Sequence, residues 1–151
     1  MEPEIIEIAL SEIKCLPTKR NFTKVVTTSD NRYIIPSVTA IATFGPEFYR
    51  GKRILNLSVE PEIIQKIKLF EKKVASISSL QYIKSTCRKN FARLHFTPQT
   101  EIVDPTHSCR IFSDIIPKEE IIVNLEYQGF WTYGDNSGHH WTLKKLLFLD
   151  T

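Results

Sequence analysis

The residues best equipped for chemistry stand near the C-terminal end, where Tyr127, Trp131 and Tyr133 are followed by His139, His140, Trp141 and Lys144. An aromatic ring stacks on a nucleic base whatever its identity, for about 1 to 3 kcal/mol per base, while Lys and Arg hold the phosphates. The same interleaving of rings and cations recurs upstream. Lys19, Arg20, Phe22 and Lys24 make one cluster, and Arg32 with Tyr33 repeats it after a turn. Tyr49, Arg50 and Arg53 make a third, and Lys84, Arg88, Lys89, Phe91 and Arg93 a fourth. Four clusters in one small chain predict a groove that tracks a phosphate backbone. Its expected contacts are Lys19, Arg20, Lys24, Arg32, Tyr33, Tyr49, Arg50, Arg53, Lys84, Arg88, Lys89, Arg93, Trp131, Tyr133, His140 and Lys144.

Charge points the same way. Residues 1 to 100 hold 16 Lys and Arg against 9 Asp and Glu, a net +7, whereas residues 101 to 151 hold 4 against 8, a net −4. No acid falls between Glu71 and Glu101. A lopsided basic surface favours a polyanion, because each neutralised phosphate releases condensed counterion.

Enzymatic chemistry has thinner material. Asp104, Asp114, Glu119, Glu120, Glu126 and Asp135 could supply a metal-dependent nuclease with His139 or His140 as base. They match no metal-site spacing, and the chain has neither a G-x-S-x-G elbow nor a G-x-x-x-x-G-K-[ST] loop. Cys15, Cys87 and Cys109 are odd in number and far apart, which predicts three free thiols in a reducing compartment. The nearest approach to zinc-ligand spacing is His107 with Cys109, and no C-x-x-C unit exists. Catalysis, metal and cofactor are therefore not expected.

These groups need a scaffold. With 151 residues and a 42% hydrophobic fraction the chain suits one domain, residues 1–151, around one core. It has no apolar run of the about 18 residues a membrane helix needs. Glu2, Glu4, Glu7 and Glu12 stand where a signal peptide would be basic, so an intracellular protein with no membrane partner is expected.

Ile6, Ile8 and Leu10 alternate with polar residues over Ile6 to Ile13, as in a half-buried strand. Phe22 to Thr28 and Tyr33 to Phe44, joined by Ser29, Asp30 and Asn31, predict a hairpin, with Pro36 at an edge or a bulge. Phe48 to Arg53 reads as a loop before a strand from Ile54 to Val59. Pro61 and the spacing of Ile63, Ile64, Ile67, Phe70 and Val74 predict an amphipathic helix over 61–75. A shorter helix is expected from Ser79 to Cys87, with Ser78 and Gln81 as a capping box. Residues 88 to 120, broken by Pro98, Pro105 and Pro117, read as irregular with one or two strands.

The chain closes on two strands, Ile121 to Tyr133 and His139 to Leu149, joined by Gly134 to Gly138. Trp141, Leu143, Leu147 and Leu149 share a face, so Trp141 should point inward and Trp131 outward or to the barrel rim, with Gly129 as the place for a bulge. The fold class expected is mainly β with one or two helices: an OB-like five-stranded Greek-key barrel with a helix after the third strand, or a sandwich of the same strands.

The pattern Val123, Leu125, Gly129, Phe130, Trp131, then Gly138, Trp141, Leu143 and Lys145 resembles the ending of the single-stranded DNA-binding proteins of large eukaryotic DNA viruses. Looser matches lie in Pro36 to Gly45 and in Lys52, Leu55, Leu57 and Ser58 leading to Ile64, Ile67 and Phe70. The resemblance implies an OB-like fold that coats exposed single-stranded DNA in viral replication, recombination or repair, in the host nucleus or a cytoplasmic replication site, without sequence preference. RNA stands beside DNA, since stacking and phosphate contacts do not distinguish the sugars. A homo-oligomer is compatible with this reading. The alternative is a virion-structural or protein-interaction module, because Trp, Tyr and Arg also anchor protein interfaces.

Overall fold

Buried and exposed side chains alternate along most of the chain, the two-residue period of sheets with one covered face, and the protein is mainly β. The computed structural model describes residues 12–78, 80, 82–106 and 108–149. Its strands are β1 (Ile13–Cys15), β2 (Phe22–Thr27), β3 (Tyr33–Ala42), β4 (Glu47–Tyr49), β5 (Lys52–Val59), β6 (Cys87–Arg88), β7 (Phe91–Phe96), β8 (Glu101–Val103), β9 (Glu119–Tyr133) and β10 (Asn136–Phe148). One α-helix, α1 (Pro61–Ile77), separates β5 from β6, and a 3-10 turn covers Phe112–Asp114.

Five strands pair in a ring: β9 with β3, β3 with β5, β5 with β7, β7 with β10, and β10 with β9. Within the ring only the β7–β10 pairing is parallel, with Thr142 opposite His95, and β8 adds a second parallel pairing to β10 outside it. β2 continues the sheet outward from β9, and β1 from β2. The expected helix after the third strand is corrected: α1 follows β5, which is the second strand of the ring, and the mixed sheet holds ten strands, not five.

Pro61 opens α1, where its missing N–H is not needed, and Ile64, Ile67, Phe70 and Val74 form its buried stripe. The Phe70 ring reaches Tyr33 at 4.8 Å, Tyr127 at 5.0 Å and Trp141 at 6.0 Å between centroids. These four fully buried rings form the centre of the core. Each such aromatic contact adds about 0.5 to 1.5 kcal/mol to the burial of its rings.

Several local expectations change. Phe48 to Arg53 is not a loop but the β4–β5 hairpin, where Arg50 (φ 49) and Gly51 (φ 78) make a two-residue turn and Tyr49 faces Lys52. No helix forms over the described part of 79–87. Ser78 instead ends α1, its N–H donating to the Val74 carbonyl at 3.1 Å, while Ser79 and Gln81 lie outside the described residues. Of the strand expected over Ile6 to Ile13, residues 6–11 lie outside them too, and Ile13 opens β1. The closing turn is Gly134 (φ 60) and Asp135, with Tyr133 opposite Asn136, so it is two residues long instead of five. Pro36 sits in an irregularity between Ile35 and Val38, where Ser37 has φ 54. That bulge accommodates a residue with no N–H for the ladder.

Candidate nucleic-acid interface

Register decides which side chains share a face, because residues directly opposite in a pair point the same way. Phe22, Trp131 and Gly138 are opposite one another across β2, β9 and β10, and so are Lys24, Gly129 and His140. Both rows belong to the outer face. Gly129 (φ 147) permits the close approach of β2: a Cβ there would lie 2.0 Å from the Thr23 carbonyl oxygen.

Residues 82–88 form a strap along the start of β10. The Lys84 N–H donates to the Ser137 carbonyl at 3.0 Å, and the His139 N–H donates to the Lys84 carbonyl at 2.9 Å. Ile83 and Cys87 are buried, whereas Tyr82, Lys84 and Arg88 are exposed. The strap is held from inside by Glu71 of α1. Its carboxylate accepts from Ser85 Oγ at 2.5 Å, the Thr86 N–H at 3.0 Å and Trp141 Nε1 at 3.1 Å. Burial pushes the Glu71 carboxyl above its ordinary range, and these hydrogen bonds oppose that rise.

One end of the outer face is the closing hairpin with the strap. Trp131 is 37% exposed, Tyr133 75% and Tyr82 73%, and with Lys84 and Asp135 they line a cleft of about 360 Å³. The indole lies over Gly138, where a Cβ would come within 2.6 Å of it. The tight turn bearing Lys19 and Arg20 abuts the same end, since the Thr132 N–H donates to the Asn21 carbonyl at 2.8 Å. The face continues onto β7 and β6 through Arg88 opposite Phe91, with Lys89 (φ 57) at the turn between them. Phe44 packs on Phe91 at 5.3 Å. The Arg50 and Arg93 guanidinium groups lie 5.3 and 5.8 Å from the Tyr49 ring. Glu47 is an acid on this stretch, and Asn56 Nδ2 donates to it at 2.5 Å.

His95 joins that stretch to a second cleft, its ring 4.4 Å from that of His140, which meets Phe22 edge to face at 5.9 Å. Burial and neighbouring positive charge hold both imidazoles down at about 4, so both are neutral near pH 7. The cleft, about 600 Å³, is lined by Phe22, Arg32, Glu126, Gln128, His140 and Lys144 among others.

The structure thus brings Lys19, Arg20, Tyr49, Arg50, Lys84, Arg88, Lys89, Arg93, Trp131 and Tyr133 to the outer surface, with Arg32, His140 and Lys144 lining the adjoining cleft and Lys24 on the same face opposite Gly129. Two expected contacts are corrected. Tyr33 is fully buried and its hydroxyl donates to the Glu12 carbonyl at 2.9 Å, so its ring is core and offers no platform. Burial first, and then nearby negative charge, push that phenol up to about 12. Arg53 points to the other face of β5, where its guanidinium lies 4.6 Å from the centre of the Phe96 ring. Trp141 is fully buried as expected, but Phe148 turns inward in place of Leu147 because the ladder shifts between Leu143 and Lys145.

Two of the six carboxylates considered for a nuclease are held by neighbouring side chains. Glu119 accepts from Arg110 Nη1 and Nη2 at 2.6 Å each, and Asp104 accepts from the Thr106 hydroxyl at 2.6 Å. Among the described residues no three His, Cys, Asp or Glu converge as a metal site requires. His107 lies outside them. Sequence reasoning missed Gln128, Glu126 and Thr142 as parts of one cleft, because that depends on two irregularities in the β9–β10 ladder that no residue type announces.

Comparisons with protein-family models, curated proteins and solved structures found no match to this chain.

Proposed function

We propose that the protein binds single-stranded DNA, without catalysing a reaction on it, and shields exposed strands in DNA replication, recombination or repair. RNA is the related ligand the same contacts accept. The observation that carries this reading is the outer face on which Tyr82, Trp131 and Tyr133 stand exposed around Lys84 and which continues through Arg88, Arg93 and Tyr49. The absence of any acid between Glu71 and Glu101 keeps the strap and β7 cationic.

The order of pairing supports an OB-like reading. Ring strands in the sequence β3, β5, β7, β10, β9, with β7 and β10 parallel, follow the connectivity of that barrel. In such a barrel the second and third strands, with the first and fourth loops, take oligonucleotides. Here those parts are β5, β7, the connection bearing β4 and the closing hairpin, which are the parts that carry the rings and cations. The position of α1 departs from the pattern. The resemblance of the closing hairpin to viral single-strand binders suggests the setting, a viral replication site.

Binding should weaken steeply with salt, with a log-log slope of about −0.7 per phosphate neutralised. Titration of a labelled oligothymidine across a salt series measures it. A flat dependence, or tighter binding of duplex, overturns the reading.

A second reading has one observation in its favour. Phe48, Ile111 and Ile116 are each about 60% exposed around the buried Phe112, whose ring meets Phe48 at 5.6 Å. Such a patch suits a protein interface, in an oligomer or a virion. Sedimentation that shows concentration-dependent assembly indifferent to oligonucleotide favours this reading over the first.

A further inference from the structure

The β9–β10 ladder shifts register twice, once between His140 and Trp141 and once between Leu143 and Lys145. The first shift makes Gln128 the extra residue on β9, and the second makes Lys144 the extra residue on β10. Both extra residues line the 600 Å³ cleft, on either side of the opposed pair Glu126 and Thr142. Bulges re-aim side chains and cluster at functional sites. The volume is also within the roughly 300 to 1,000 Å³ usual for small-ligand sites.

The floor of the cleft is a fixed polar network. Gln128 Nε2 donates to Glu126 Oε1 at 2.6 Å and to Thr142 Oγ1 at 2.9 Å, while Gln128 Oε1 accepts from Arg32 Nη1. Both amide hydrogens and the amide oxygen of Gln128 are thereby used, which fixes the orientation of the group. Glu126 keeps Oε2 and a lone pair on Oε1, and an ionised carboxylate only accepts. Phe22 and His140 supply a ring wall beside it.

We propose that this cleft is a base-recognition subsite for one extruded guanine of a bound single strand. Guanine presents two adjacent donors, N1–H and the 2-amino group, on its Watson–Crick edge, which match the two oxygens of Glu126. Adenine and cytosine place an acceptor nitrogen beside their amino group, and thymine flanks one N–H with two carbonyls, so each would face the carboxylate with repelling lone pairs. Enzymes and binders that read a flipped base combine edge hydrogen bonds with a stacking wall in this way.

The inference rests on the single-strand reading, and the experiment separates the two. Affinity is measured for an oligothymidine, for the same oligomer with one central deoxyguanosine, and for that oligomer with deoxyinosine in the guanosine position. The guanosine oligomer should bind about tenfold tighter than oligothymidine, the scale of discrimination from one bidentate contact. Deoxyinosine, which lacks the 2-amino group, should lose most of that gain, a test that needs no variant protein. Glu126→Gln should bring the guanosine and thymidine oligomers level. Equal binding of all three by the unaltered protein overturns the subsite and leaves the single-strand reading standing. Failure of every oligomer to bind overturns both.

Discussion

The indole of Trp131 rests on the bare Cα of Gly138, its partner across the closing hairpin. A methyl group at Gly138 would lie 2.6 to 2.8 Å from three indole atoms, closer than carbon contacts allow. The ring is therefore held against backbone on one side and open to solvent on the other, as a stacking platform must be. Gly138→Ala should displace the ring, at a cost of about 1 to 3 kcal/mol in stability as for other overpacked sites. Quenching of tryptophan fluorescence by oligothymidine should fall with it. A variant that keeps wild-type quenching would show that the platform does not depend on this contact.

Trp131→Ala tests the platform directly. Loss of one stacked base should weaken oligothymidine binding by about 1 to 3 kcal/mol. Thermal melting should change little, since the ring is over a third exposed. Unaltered affinity in a folded variant would place the single-strand contacts elsewhere.

Glu71 is the inner anchor of the surface that bears Lys84. Removing its carboxylate leaves the fully buried Trp141 N–H and the partly buried Ser85 hydroxyl and Thr86 N–H without their acceptor; a buried orphan costs about 1 to 3 kcal/mol, and one that water can reach costs less. Glu71→Ala should accordingly destabilise the fold by about 3 kcal/mol or more. The amides of Lys84 and Thr86 should lose hydrogen-exchange protection before those of β9. Uniform loss of protection across the sheet would instead make the strap an inseparable part of the core.

Much of this architecture was legible in the residues. The helix, the closing hairpin, the inward Trp141 and the bulge at Gly129 all follow from local rules of periodicity and glycine use. The strap was misread because Ser78 caps the end of α1, not the start of another helix, and its extended form comes from hydrogen bonds to β10 and Glu71 that are remote in sequence. Tyr33 misled for a similar reason. A ring beside an arginine looks like a platform until Phe70 of α1, remote in sequence, is seen to cover it. Arg53 shows the cost of a hairpin mistaken for a loop: in a strand, alternation sends it to the face opposite Arg93. The guanine cleft had no local signal, because it exists only where two strands slip against each other.

The histidines make stability depend on pH. Burial holds His139 at about 3, while His95 and His140 are near 4, all below the ordinary 6.5. The unfolded chain therefore binds protons that the folded chain does not, once pH falls below 6.5. Full stability is present above that pH and is lost as pH falls toward 4, at about 1.4 kcal/mol per pH unit for each histidine kept neutral. His139 is fixed by Tyr127, whose hydroxyl lies 2.6 Å from Nδ1. Burial keeps that phenol protonated, so the contact joins two neutral groups. Urea midpoints measured from pH 7 to pH 5 should decline steadily, and a level profile would contradict neutral burial.

Salt dependence distinguishes the proposed face from the rest of the basic surface. Lys84 and Arg93 are on the face with Trp131 and Tyr49, whereas the Arg53 guanidinium lies over Phe96 on the opposite side of β5. Each cation that neutralises a phosphate contributes about 0.7 to the magnitude of the log-log slope for a single strand. Lys84→Ala and Arg93→Ala should each lower that magnitude by about 0.7 and weaken binding to every sequence alike. Arg53→Ala should leave the slope where it was and act on stability, through loss of its contact with the Phe96 ring. Equal loss of slope in all three variants would mean that phosphates meet the protein through a diffuse positive field, and the face defined by strand register would then have no special part in binding.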